Sequence, residues 1–248
     1  MAKDLFSAQA AGYARYRPGY PEELIQYVLS FVTGRQAAWD CATGNGQAAI
    51  LLAPHFSRIE ATDISDRQLA QAVQHPSIHY SQSPETQTTF EDNTFDLITV
   101  AQAYHWFSFD GFHQEATRVS RPGAIVAVWG YGLITTPDEQ LEDRIRSFYT
   151  STVGQYWDPE RKYVDESYQT IPFPFTALPS REFNIHMQWS RIDLLGYLNT
   201  WSSVQHFIKA NGYNPIGQWA ETISPAWKAE ETRQFTFPLF CRIGKVEK

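Results

Sequence analysis

Cysteine is scarce in this chain of 248 residues: only Cys41 and Cys241 occur, with no CxxC and no paired spacing. That excludes a disulfide-framed fold and a zinc knuckle, and it suits a reducing compartment. Basic residues are in deficit, 20 Lys and Arg against 27 Asp and Glu, giving a net charge of −7 and a pI near 5.5. Such a field repels phosphate backbones and anionic lipid surfaces, so nucleic acid is not an expected partner. Long apolar runs are also missing. The longest, Ala124 to Trp129, is far too short for a bilayer span, and Met1-Ala2-Lys3-Asp4-Leu5 carries no apolar signal-peptide core. The expectation is a cytoplasmic protein without membrane contact. No internal repeat is visible, which argues against a solenoid. HExxH, GxxxxGK and GxSxG are all absent, removing the zinc-protease, P-loop and α/β-hydrolase readings. Pro76 separates His75 from His79 and breaks the helix that a metal pair would need, so no metal site is expected.

Aromatic residues, by contrast, make up 15% of the chain, enough for a bulky core with some left to line a cavity for a flat or cationic ligand. Short apolar runs alternate with helical stretches. Leu24, Tyr27, Val28, Phe31 and Val32 form one helical stripe behind Pro21. Strands are expected at Ala37 to Asp40, Arg58 to Thr62, Ile78 to Tyr80, Phe95 to Ala101 and Ala124 to Trp129. Helices are expected over Gln47 to His55, over Asp66 to Gln74 behind the Ser65/Gln68 capping box, and around Phe112 to Val119. This alternation predicts βαβ units and a parallel sheet covered on both faces. After Gly130 the rhythm breaks, and residues 131–180, with the run Pro172-Phe173-Pro174-Phe175, read as an aromatic cap inserted into a core of about 10–130 and 181–248. A strand at Glu182 to Trp189, a helix from Ile192 to Asn199, and a final strand at Gln234 to Cys241 follow, the last suited to an antiparallel edge.

The chemistry concentrates in Asp40-Cys41-Ala42-Thr43-Gly44-Asn45-Gly46, with Asp63 at the end of the next strand. Glycines at a strand-to-helix turn take positive φ and let a ligand approach the backbone, so Gly44 and Gly46 mark a nucleotide-contact turn. Asp40 discriminates between ligands. A carboxylate there repels a pyrophosphate but attracts an ammonium, while Asp63 is placed to accept two hydrogen bonds from a ribose diol. An adenosine joined to an amino-acid cation satisfies both acids.

This constellation resembles that of class I S-adenosylmethionine-dependent methyltransferases. The run Asp92 to Phe107, the Arg121-Pro122-Gly123 turn and the segment Tyr13 to Pro18 are similar to those of the group around trans-aconitate methyltransferase, over residues 10–130. The resemblance implies a Rossmann-like α/β fold with a seven-stranded, mostly parallel sheet, the last strand antiparallel and the cap over the active edge. It implies S-adenosylmethionine as cofactor, held by Asp40, Ala42, Gly44, Gly46, Asp63, Ser83 and Gln102, with Tyr13 and Arg17 near the methionine carboxylate. His105 and Trp106 become the catalytic candidates, placing or deprotonating the acceptor. Two departures stand out. Ala42 replaces the first glycine, which requires its φ to be negative. Ser83-Pro84-Glu85 stands where an adenine-contacting acid followed by a residue giving a backbone N–H belongs; Pro84 has no N–H and Ser83 no charge, and Ser83 is taken for that end. The acceptor implied is a small organic molecule methylated on a carboxylate oxygen, clamped by cations of the cap among Arg144, Arg146, Arg161 and Lys162, in a monomer or homodimer. A nicotinamide-dependent Rossmann oxidoreductase and a non-catalytic S-adenosylmethionine-binding protein remain the alternatives.

Overall fold

The computed structural model describes residues 16–223, 227–228 and 231–248; Tyr13 lies outside them. Strand β1 (Ala37–Cys41) is buried at every position, as a strand covered on both faces must be. Its alternate side chains serve two cores. Ala38 packs with Leu24 and Val28 of α1 (Glu22–Leu29) and with Ala48 of α2 (Gln47–Leu52). Ala37 and Trp39 pack with Phe112 and Val119 of α4 (Phe109–Val119). Period-2 alternation on a buried strand therefore builds the two helix layers from one strand.

β1 lies between β2 (Arg58–Asp63) and β4 (Phe95–Ala101), parallel to both; β3 (Ile78–Gln82) follows β2, and β5 (Ser120–Tyr131) follows β4. The order is β3-β2-β1-β4-β5-β8, with β8 (Thr232–Lys245) antiparallel to β5. β1 is thus central, beside the chain crossover, as the alternation of elements requires. Among the described residues the sheet contains eight strands, one more than the sequence suggests. β6 (Thr176–Ala177) and β7 (Phe183–Ser190) pair with successive stretches of β8, Thr176 opposite Lys245 and Phe183 opposite Leu239, so the two share one outer rank. A two-residue strand after Pro174-Phe175 carries no alternation by which sequence reading can find it.

Other boundaries move for tertiary reasons. The helix expected over Asp66 to Gln74 is only α3 (Asp66–Leu69), although Ser65 does cap it by accepting the Gln68 N–H at 3.3 Å. Beyond it the Val73 N–H donates to Asn45 O and Val73 O accepts from the Tyr80 hydroxyl, which takes that backbone out of a helix. Within the expected cap, α5 (Glu139–Ser147) and α6 (Arg161–Asp165) form. The helical layer also draws on residues assigned to the core. Trp201 and Trp219, from the run α7 (Arg191–Asn199), α8 (Ser202–Asn211) and α9 (Pro215–Ile223), pack against Phe148, and Trp201 also packs against Tyr149 and Trp157.

Asp96 anchors the inner strands at their amino ends. Its Oδ2 accepts the N–H groups of Gln36 and Ala37 at 2.8 and 3.1 Å, and its Oδ1 pairs with Arg121 at 2.8 Å. Removing it strands the buried Ala37 N–H, worth about 1–3 kcal/mol, and leaves the Gln36 N–H, at an exposed residue, and Arg121 without their partner. Asp96→Ala is expected to lower unfolding free energy in urea by about 2–4 kcal/mol with an unchanged m-value; a loss below about 1 kcal/mol would show that water replaces the carboxylate without cost.

Candidate functional site

The carboxyl ends of β1, β2 and β4 meet at a loop whose backbone is forced into the left-handed region. Gly44 and Gly46 have φ of 58° and 84°, and so does a non-glycine, Ala42, at 56°. The requirement of negative φ at Ala42 therefore fails. The chain has to turn there for the Thr43 N–H to reach Thr62 O at 2.9 Å. An alanine in that region costs about 1–2 kcal/mol. Gln102, just past β4, is a second strained residue, at 56°. Two such outliers at one sheet edge are the kind of strain that functional sites retain.

A cavity of about 130 Å³ opens beside this loop. Ala42, Thr43, Gly44 and Asn45 form one wall, Asp63, Ile64 and Ser65 a second, and Ser83 and Glu85 the end beyond β3. Asp63 accepts the Gly44 N–H on Oδ2 at 2.8 Å and the Ser65 N–H on Oδ1 at 2.9 Å, so the protein orients both oxygens. Ser83 turns its hydroxyl toward Pro84 O and Gln87 O. Glu85, which sequence reading missed because Pro84 displaces the expected acid, lines the cavity and fixes itself by accepting the Ser108 N–H at 3.1 Å. Tyr20, Trp106 and Phe107 supply aromatic surface.

Asp40 does not line the cavity. It is fully buried under the loop, where Thr43 Oγ1 donates to Oδ2 at 2.5 Å and Thr99 Oγ1 donates to Oδ1 at 2.7 Å. Burial pushes its carboxyl up to about 6, against the opposing pull of those hydroxyls. Direct contact with a ligand ammonium is therefore not what the geometry provides. The carboxylate braces the loop and sets its field from below. Gly46 is likewise set back from the cavity; a side chain there would meet the Tyr80 hydroxyl, so its glycine serves packing. Gln102 borders the cavity, but its side chain is committed to β5, accepting the Tyr131 N–H at 2.8 Å.

A second, smaller cavity shares Gln102 and Trp106 with the first. His105 and Arg17 line this one and not the first. Arg17 donates to the Tyr131 hydroxyl at 2.9 Å and lies over the Tyr197 ring. His105 is buried, with Nδ1 2.9 Å from the Tyr168 hydroxyl. Its pKa is lowered to about 3, first by burial and then by the charges of Arg161 and Arg17, so the imidazole is neutral at physiological pH. Of the four cap cations, only Arg161 lines the cavity, stacked on Trp157 and Tyr149. Arg146 pairs with Glu142 at the surface, Arg144 is exposed, and Lys162 lies over Tyr163. Trp157, Asp158 and Trp201 complete the wall, and no sequence signal pointed to them.

The family described as a methyltransferase domain matches residues 39–128, from β1 to β5. A Dictyostelium discoideum protein bearing a methyltransferase name is 30% identical over 251 aligned positions, spanning 98% of this chain and 95% of its own length. Among solved structures, a type II methyltransferase, so titled, from Anaeromyxobacter dehalogenans superposes with a TM-score of 0.86 at 35% identity, over 94% of this chain and 99% of that one. Phosphoethanolamine N-methyltransferase 2 of Haemonchus contortus, solved with phosphomonomethylethanolamine and S-adenosylhomocysteine, has a TM-score of 0.50 at 16% identity, over 97% of this chain and 59% of that one, which speaks to the fold alone.

The raised pKa of Asp40 has a definite sign in stability. The carboxyl holds its proton more tightly folded than unfolded, so the cost of burial is absent below about pH 4 and complete above about pH 6. A rise of that size corresponds to about 3 kcal/mol. The melting temperature of Asp40→Asn relative to the unmodified protein is expected to rise between pH 5 and pH 8. A difference independent of pH would mean that the buried carboxylate ionises without cost.

Proposed function

The chain belongs to the class I S-adenosylmethionine-dependent methyltransferases, and from that membership we propose that it transfers a methyl group from S-adenosylmethionine to a small organic acceptor, on a carboxylate oxygen. The observation that carries the reading is the junction of the two cavities at Gln102 and Trp106, one flanked by the strained loop and Asp63, the other by Arg17 and Arg161. In this reading the chain works as one unit, with residues 131–180 and the helical run after β7 closing over the site.

The first cavity fits the cofactor's parts. Asp63, oriented by two backbone N–H groups, accepts from ribose hydroxyls. Glu85 accepts from the adenine amine in place of Ser83, and Ile64 and Phe107 offer apolar surface to the base. Asp40 favours the ammonium through its field rather than by contact. S-adenosylmethionine, when bound, supplies a methyl group on a positively charged sulfur.

The protein's own part is alignment and exclusion of water. Arg17 and Arg161 attract and orient an anionic acceptor. Trp106, Trp157 and Trp201 wall the approach. A neutral imidazole with a pKa near 3 is a poor general base, so deprotonation by His105 gives way to hydrogen-bonded placement, with Tyr168 fixing the ring. A carboxylate needs no base: its oxygen is already anionic and would take the methyl group directly, the electron pair of the broken C–S bond staying on the cofactor's sulfur. Alignment of this kind reaches roughly 7–11 kcal/mol in favourable cases.

Incubation with methyl-labelled S-adenosylmethionine and a set of small carboxylic acids, each beside its primary amide, tests the reading. Label is expected in the methyl esters of acids and in none of the amides, and Arg161→Met is expected to raise KM for the acids by about 10- to 100-fold, the worth of a charged hydrogen bond. Label found only in RNA or protein would overturn it.

A further inference from the structure

Two adjacent residues beyond α6, Ser167 and Tyr168, hold φ of 52° and 60°. Neither is glycine, and no other neighbouring pair of non-glycine residues shares that region among the described residues. L-residues avoid it because Cβ crowds the backbone carbonyl, and a bulky ring makes the position rarer still. The turn is closed by the Tyr168 N–H, which reaches back to Tyr163 O at 2.7 Å. It is also clamped from outside. Arg242 of β8 donates through Nη1 to Tyr168 O at 2.5 Å and to Ile171 O at 2.7 Å, with its guanidinium over the Phe173 ring. β8 thus enforces a conformation that the local sequence disfavours, and strain held in place this way gathers at ligand sites.

The clamped residue delivers one polar atom toward such a site. The Tyr168 ring is fully buried, edge-on to Tyr104 and Phe240, and its hydroxyl stands 2.9 Å from His105 Nδ1. His105 in turn borders the second cavity. Its Nε2 makes no hydrogen bond among the described residues, yet it is not one of the side-chain atoms closed off from solvent. Nε2 is therefore the polar edge of the ring that opens on the cavity lined by Arg17 and Arg161.

A neutral imidazole has one N–H and one lone pair, and the bond made at one nitrogen decides which of them the other presents. A phenol O–H is more acidic than an imidazole N–H, and an imidazole nitrogen is more basic than a phenol oxygen. Of the two possible bonds, O–H to N is then the stronger, so Nδ1 accepts and Nε2 carries the proton.

We propose that Tyr168 is a positioning residue for the acceptor: by donating to Nδ1 it fixes His105 as the Nε2–H tautomer, and Nε2–H donates to the acceptor carboxylate beside the two arginines. This rests on the methyl-transfer reading and adds to it the donor atom and the residue that sets it. The opposite tautomer would turn a lone pair toward the anion. The Nε2 proton stays in place throughout methyl transfer.

The first test needs no substrate. Long-range proton–nitrogen correlation spectra of protein labelled with ¹⁵N-histidine read the tautomer, the His105 signals being those lost in His105→Gln. The unmodified protein is expected to show Nε2–H, and in Tyr168→Phe the Nδ1 resonance is expected to move downfield as its accepted proton is lost. The second is label transfer from S-adenosylmethionine to the carboxylic acids. Tyr168→Phe is expected to raise KM by about 3- to 10-fold with little change in kcat, the worth of one hydrogen bond, and to have no such effect in the His105→Gln background. KM does not depend on the fraction folded, so a less stable variant still reports. If His105 carries its proton on Nδ1, or Tyr168→Phe leaves either the Nδ1 resonance or KM unchanged, or its effect on KM persists in His105→Gln, the role of Tyr168 is refuted while methyl transfer stands. If the spectra are as expected but no carboxylate is labelled, the methyl-transfer reading fails and the contact to the acceptor fails with it.

Discussion

One buried carboxylate organises the reactive edge of this protein. Asp40 sits under the loop after β1 and receives a hydroxyl from that loop, Thr43, and another from the neighbouring strand, Thr99. Those two bonds tie β1 to β4 and hold the loop in its turn. With the turn made, the Gly44 N–H points at Asp63, and the carboxylate at the end of β2 takes its orientation from the loop. Burial exacts a cost that shows in the raised pKa. The same low-dielectric surroundings that make the charge expensive let it act at a distance on a cation above it.

Strain and charge are both concentrated where the strands end. Ala42 and Gln102 hold positive φ without being glycine, one on each side of the crossover between β1 and β4. Gln102 then spends its side-chain amide on the end of β5 while bordering both cavities. The two arginines that depress the His105 pKa are the ones that make the second cavity attractive to an anion. Burial first, and those two charges second, remove His105 from acid–base work, and an acceptor that needs no deprotonation suits that loss.

The central architecture was legible because its signals are local. A strand buried on both faces, a glycine turn and an acid 19 residues after Gly44 all lie within β1 to β2, and the sheet order follows from strand–helix alternation. What failed depends on partners remote in sequence. Ala42 was expected at negative φ because nothing nearby reveals that Thr43 must reach Thr62. Four cap cations were equivalent as letters, and only the stacking of Arg161 on Trp157 and Tyr149 separates it from the exposed ones. Glu85 hid behind Pro84, whose missing N–H drew attention to Ser83 instead. Asp158 and Trp201 come together through packing across the helical layer, which no spacing within either segment encodes.

The central claim is that the cavity beside the loop holds an adenosyl amino acid through Asp63. Isothermal titration calorimetry with S-adenosylhomocysteine and, separately, with NAD, on the unmodified protein and on Asp63→Ala, tests it most directly. The account predicts one S-adenosylhomocysteine bound per chain, at least tenfold weaker binding to Asp63→Ala, as the loss of charged hydrogen bonds requires, and no heat from NAD. Binding of NAD in preference to S-adenosylhomocysteine, or equal S-adenosylhomocysteine affinity in the variant, would contradict it.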